Sequence, residues 1–296
     1  MVSKPKRAER QFALRYLAAA LALVCLAGIQ HFGIAPLLER LPVGYSNEWR
    51  LLEENRFRAS VADEWQTGTL AVRRADQVII SSDSLVVLQG DLHVFFESGA
   101  LNFESSGLYG VDRRTRMNLA GYGSAERSGL YLFPPHLKRQ NYFIWDPMFI
   151  GPRQAYFSHA ESLEGLSVDV YQFNATHLDA TPGYSYLPEV PETYQAHTDG
   201  QGTIWVEPLS DAVLDYQDQG VSYFVDPGTG ARVADFNQWS QRFTAETKAA
   251  QLALARSARL RIQALETWLP GGVLLLGWLL LALHLNRRIA LQRRLA

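Results

Sequence analysis

Tyr142, Trp145 and Asp146, in the run Tyr142-Phe143-Ile144-Trp145-Asp146-Pro147, are the residues of this chain that come nearest to a ligand-binding set. Aromatic loops bind ligands, and a carboxylate beside two rings adds a polar handle. The same run also suits a structural corner, because Asp before Pro favours a turn and Trp favours a core. The sequence leaves both readings open. Elsewhere the chemistry is thin. None of the seven histidines lies in a His-Glu-x-x-His pair, and no Gly-x-Ser-x-Gly elbow or phosphate-cradling Gly-rich loop occurs. Asp91-x-His93 could share one strand face, but a metal needs a third ligand. Asp211, Asp215 and Asp218 have the wrong spacing for a calcium loop. The expectation is therefore no catalytic residue, no metal, no cofactor and no enzyme.

What the sequence states clearly is topology. Phe12 to Leu38 and Trp268 to Leu285 are apolar runs, each long enough as a helix (about 20 residues) to cross a hydrocarbon core. Lys4, Lys6, Arg7, Arg10 and Arg15 border the first run on its terminal side; Arg287, Arg288, Arg293 and Arg294 border the second. Basic residues are retained in the cytoplasm, so these nine determine a two-pass arrangement with both termini cytoplasmic and residues 39–267 outside a plasma membrane. The first run is too long for a cleaved signal peptide and lacks a small-x-small exit, so it reads as an uncleaved signal anchor. Ala18 and Ala22, four apart, give it a face on which another helix can approach.

The net charge of −2 hides an asymmetry. The first sixteen residues carry five basic groups and one acid, and the last twelve carry four basic groups, which leaves −10 for the remainder. Such an acidic domain argues against a nucleic-acid partner, which needs a basic face. The single cysteine, Cys25, lies in the first apolar run, so no intrachain disulfide or cysteine zinc site can form.

Between the spans the expected order is a neck at 39–67, a β-rich domain at 68–235 and a stalk helix at 236–267, with basic tails at 1–11 and 286–296. Strand signals recur: Gln77–Ile80, Leu85–Leu88, Leu92–Phe96, Gly129–Phe133, Leu166–Phe173, Thr203–Val206 and Val221–Val225 are short apolar runs parted by Gly, Asp and Ser. One local pattern occurs three times, from Asp112, Glu207 and Asp226: an acid, two spacers, a hydroxyl residue and a returning strand. It predicts hairpin turns, with Gly230 free to take a positive φ. Proline- and aromatic-rich stretches at 133–149 and 181–191 predict ordered loops covering the sheet. From Asp235 the residues Trp239, Phe243, Ala250, Leu254, Ala258, Ile262 and Leu265 fall at helical steps, which predicts a stalk of about 45 Å, with a kink or a break into two helices at Pro270. Asn174-Ala175-Thr176 is a glycosylation sequon. The fold class expected is α+β: two transmembrane helices flanking an extracytoplasmic antiparallel sheet.

The ordered series Val111-Asp112-Arg113-Arg114-Thr115, Phe133-Pro134, Tyr142 with Trp145-Asp146-Pro147, Gly165-Leu166 with Val170-Tyr171-Gln172-Phe173, and Val225 to Gly230 resembles the porin PorA family of two-helix-anchored envelope proteins. The resemblance covers roughly residues 65–285 and implies no catalytic residues. It implies a cell-envelope protein whose partners are the lipid bilayer and another envelope protein or its own copies. The sheet with a helix is also similar, at the level of fold, to lipoprotein-carrier domains, which implies a lipid ligand as the alternative. An oligomeric pore finds no polar stripe on either apolar run.

Overall fold

The computed structural model describes the backbone of residues 5–146 and 151–295, and the side chains of these except residues 5–14, 38, 146, 288 and 290–295. It divides into two compact units, residues 1–40 with 257–296, and residues 41–256.

The first unit is an antiparallel helical pair. α1 (Pro5–Ile29) continues through a π-helical turn, Gln30–Ile34, into the short α2 (Ala35–Leu38). Its partner α4 (Leu269–Leu295) follows a second π-helical turn, Ala264–Trp268. Both helices are long and apolar enough to cross a membrane. The seam is built of small residues: Ala20 and Ala27 are buried, and a Cβ added at Gly277 would meet the Cβ of Leu23 at 3.6 Å. Pro270, Gly277 and His284, seven apart, form the buried edge of α4, the period of a left-handed supercoil. The seam therefore uses Ala20 and Ala27 rather than Ala18 and Ala22, which face outward. The π turns lie side by side, and Gln30 Nε2 donates to the Leu265 carbonyl at 3.4 Å. A widened turn with an i→i−5 bond, Leu269 N–H to Ala264 O, precedes Pro270 and stands where a kink was expected. Leu21, Leu275, Trp278 and Phe32 are exposed.

The second unit is a ten-stranded antiparallel meander. Its strands are β1 (Ser46–Phe57), β2 (Gln66–Ser81), β3 (Leu85–Phe96), β4 (Leu101–Asp112), β5 (Tyr142–Asp146), β6 (Gly151–Leu163), β7 (Leu166–Asp179), β8 (Gln195–Val206), β9 (Val213–Val225) and β10 (Arg232–Phe243). The spatial order is β4-β3-β2-β1-β10-β9-β8-β7-β6-β5. Two boundaries differ from expectation. The neck contains β1, where Trp49 and Leu51 point in and Arg50 and Leu52 point out. The stalk helix does not begin near 236, because β10 runs to Phe243 and α3 spans Ala245–Gln263. Trp239 and Phe243 are four apart, which fits a helix, yet they are also even steps on one strand face. Thr244 starts α3 as its cap, its Oγ1 accepting the Thr247 N–H at 3.2 Å. Leu252 and Ala255 then pack on Val168, Val170 and Leu214.

The sheet curls, and its two edge strands are joined rather than left open. Val111 of β4 bridges Asn118, Met117 bridges Leu130, and Leu130 bridges Ile144 of β5. Leu130 N–H donates to Phe143 O and receives Trp145 N–H on its own carbonyl, both at 2.8 Å. The run Gly129–Phe133 is thus a seam, not a strand of the meander. Enclosed by the curl, Trp49, Phe133, Tyr142, Tyr171, Phe173, Tyr216 and Phe243 form one aromatic core. Leu187 and Val190 of the 181–194 loop pack on Phe224 and Phe236, as the loop expectation required.

Glycines make room for these rings. A Cβ at Gly220 would overlap the Trp239 indole and come within 2.6 Å of the Asp199 carbonyl; one at Gly202 would overlap the Phe173 ring. Gly220→Ala is expected to destabilise the protein by about 1–3 kcal/mol through overpacking, read as a lowered unfolding midpoint. An unchanged midpoint would show that the indole does not lie over this strand.

Candidate functional site

The three predicted turns are one structure repeated. In each, the acid's N–H donates to the carbonyl five residues on (Asp112 to Met117, Glu207 to Ala212, Asp226 to Ala231), and its carbonyl accepts the N–H four residues on. The acid's side chain accepts the N–H of the hydroxyl residue: Thr115 at 2.7 Å, Ser210 at 2.8 Å and Thr229 at 3.0 Å. The fifth position is left-handed in all three, with φ of 66° at Arg116, 62° at Asp211 and 71° at Gly230. Only Gly230 has the residue type that this φ favours. The other two are tied to each other, Arg116 Nη2 to Asp211 Oδ2 at 3.3 Å. Burial pushes the Asp211 carboxyl up to about 6, against the pull of Arg116. These turns are architecture.

The sequence-predicted set does not converge. Tyr142 is a core residue. Its ring meets Phe133 and Tyr171 edge-on at 5.8 Å, and its hydroxyl accepts the Lys138 N–H at 2.9 Å. Trp145, three residues along the same strand, is half-buried and packs on a second core cluster that includes Val86, Leu88, Tyr109 and Tyr131, with the Arg127 guanidinium 5.6 Å from its ring. The Asp146 side chain and Pro147 lie outside the described residues. Among the topology residues, Arg15 is exposed and Arg287 donates to the Tyr16 hydroxyl at 3.3 Å; the side chains of Lys4, Lys6, Arg7, Arg10, Arg288, Arg293 and Arg294 lie outside the described residues. Asp211, Asp215 and Asp218 separate onto Arg116, Lys248 and a Tyr216–Trp239–Gln241 set respectively.

Two polar features emerge from strand pairing instead. Inside the curl a relay crosses four strands. Glu53 accepts from Asn55 at 2.8 Å, Asn55 donates to Asn237, Asn237 donates to the Tyr184 hydroxyl, and Ser222 links Tyr184 to Thr198. Burial pushes Glu53 up to about 7, with the Asn55 bond working the other way.

On the outer face, two cross-strand rows line a depression of about 830 Å³. Register sets one row as Leu52, Arg242, Gln217, Thr203, Gln172 and Tyr156, and the next as Glu54, Ser240, Gln219, Gln201 and Asn174. The rows cross six strands, about 24 Å at the usual spacing. Sequence reading missed this feature because its residues come from six separate strands; the signal available was the alternation of Gln, Asn and Thr along β7, β8 and β9.

A family profile described as Porin PorA matches residues 12–285. No curated protein matches the chain. Among solved structures, a peroxisomal multifunctional enzyme type 2 from Drosophila melanogaster is 10% identical at a TM-score of 0.16, covering 67% of this chain and 37% of that one. A DUF1329 family protein from Desulfovibrio piger is 7% identical at 0.19, covering 82% and 92%. An acyl-CoA thioesterase II from Mycobacterium marinum is 14% identical at 0.13, covering 68% and 82%. The chain spans little more than a third of the Drosophila enzyme's length, and scores this low carry no argument about fold or function.

Glu53 titrates above the ordinary value of 4.5, so the fold favours its protonated form. That contribution is complete below pH 4.5 and is lost as pH rises through about 7. Glu53→Gln is expected to flatten stability between pH 5 and 8 and to be the more stable protein at pH 8, by about 1–3 kcal/mol. Unfolding curves at both pH values check this; equal slopes for the two proteins would contradict it.

Proposed function

The chain belongs to the porin PorA family, and on that premise we propose that it is a non-enzymatic, membrane-anchored cell-envelope protein. The helical pair crosses the plasma membrane with both termini in the cytoplasm. The β domain stands outside and binds or scaffolds another envelope component, a second protein or further copies of this chain. The observation that carries the reading is the pairing of two apolar helices, basic at their terminal ends, with an acidic, independently cored sheet.

The polarity of the sheet supports an anchor over a literal porin. A membrane barrel turns apolar side chains outward to lipid. Here a core of seven aromatic rings is enclosed, and Gln172, Gln201, Gln217, Gln219 and Arg242 face out. The enclosed space that a lipid carrier would offer an acyl chain holds Phe133, Tyr171, Phe173, Tyr216 and Phe243, and the outer depression has polar walls. Both points favour scaffolding over lipid carriage.

The test is affinity capture of the full-length protein from native membranes in mild detergent, with proteins and lipids identified in one eluate. A defined protein partner, or stable self-assembly, is the expected result. A single enriched lipid, stoichiometric with a monomer and without a protein partner, would overturn the scaffold reading in favour of the carrier.

A further inference from the structure

We propose that the outer-face depression is a binding groove for a neutral glycan chain, an inference that names the component class and rests on the reading that the β domain faces the envelope. The groove's distinctive residues are five amides, Gln172, Asn174, Gln201, Gln217 and Gln219, with Tyr156 at one end. All six are exposed. None of the five amides is engaged in a side-chain hydrogen bond among the described residues. Each offers both donors and an acceptor, which is what hydroxyl groups that both donate and accept require.

The charge pattern points the same way. The domain as a whole is acidic, and charged pairs flank the groove: Arg232 with Asp199 and Asp235 on one side, and Asp215 with Lys248 of α3 on the other. Of the charged residues lining the groove, Glu54 and Arg242 offset each other, and the buried Asp218 turns its carboxylate inward onto Tyr216, Trp239 and Gln241. Keeping a surface soluble is ordinarily the work of charged side chains, so a neutral amide field in an acidic domain is a selected chemistry. It offers no basic cluster for phosphate or carboxylate, which excludes nucleic acids and anionic headgroups.

Geometry excludes a peptide adding as a strand, because the groove crosses strands that are paired on both sides. It favours a ligand that is long and lies across the strands. The paired backbone fixes the spacing of these side chains before binding, so the ordering cost is confined to their rotamers. The Tyr156 ring, 48% exposed, closes the row with an apolar face and a hydroxyl, the combination that stacks on a sugar ring while bonding its edge.

The experiment uses the full-length protein in lauryldimethylamine oxide, since glycoside detergents carry a competing sugar. Neutral hexasaccharides of glucose, mannose, galactose, arabinose, xylose and N-acetylglucosamine, with polygalacturonate as the anionic control, are titrated by calorimetry and saturation-transfer NMR. At least one neutral hexasaccharide is expected to saturate. The Gln201→Ala/Gln217→Ala variant, altered only at exposed positions, is expected to keep its unfolding midpoint and to bind about tenfold more weakly. No saturation by any neutral member, saturation unaffected by the variant, or binding of polygalacturonate alone would each overturn the proposal. A protein partner still captured under those outcomes would leave the scaffold reading standing.

Discussion

Everything in the β domain depends on how a ten-stranded meander disposes of its two edges. An open edge presents unpaired N–H and C=O groups, and a twisted sheet this wide must curl or split. Here it curls, and residues 116–119 and 129–131 hand the hydrogen-bond ladder from β4 to β5. The seam is locked from within. Tyr131 donates to Asp76 at 2.6 Å and accepts from Arg74 at 2.8 Å, while Arg74 and Asp76 pair at 2.8 Å, all three buried. Gly90 leaves the space that the Arg74 guanidinium occupies. Once the edges are joined, each strand has an inside and an outside. The inside receives the aromatic core and the buried polar sets around Asp76, Asp218 and Glu53; the outside carries the first turns of α3, the amide rows and charged pairs such as Arg232 with Asp199.

That division shows how much of the molecule was legible in sequence. The apolar runs, most strands and the three acid-led turns are local signals, and they were readable. The turns were readable even without glycine, because the acid and hydroxyl positions recur although Arg116 and Asp211 hold the left-handed site. β10 was misread because even steps on a strand and one helical turn coincide at Trp239 and Phe243. β1 was misread because its inward face carries Asn47, Glu53 and Asn55 among Trp49, Leu51 and Phe57, which hides the alternation. The groove was beyond sequence reading for a different reason: its rows exist only through the register of six strands. Trp145 and Tyr142 looked like one site because they are neighbours in sequence, but they pack into two different core clusters.

The two units also differ in how they bury their apolar residues. The helical pair turns bulky apolar residues outward around a seam of Ala20, Ala27 and Gly277, while the β domain encloses an aromatic core and turns its amides outward. One chain thus carries two opposite solutions to burial, one suited to lipid and one to water, and basic residues mark the ends of the first. The family label names a pore; the anchor proposal rests instead on this arrangement of polarity.

The central claim is that this surface and the chain ends lie on opposite sides of a membrane. In a Cys25→Ser background, Gln219→Cys and Arg293→Cys each supply one thiol for a membrane-impermeant maleimide applied to intact cells. The account predicts labelling at position 219 without permeabilisation and at position 293 only after it. Labelling in the reverse order, or of both positions in intact cells, would contradict it.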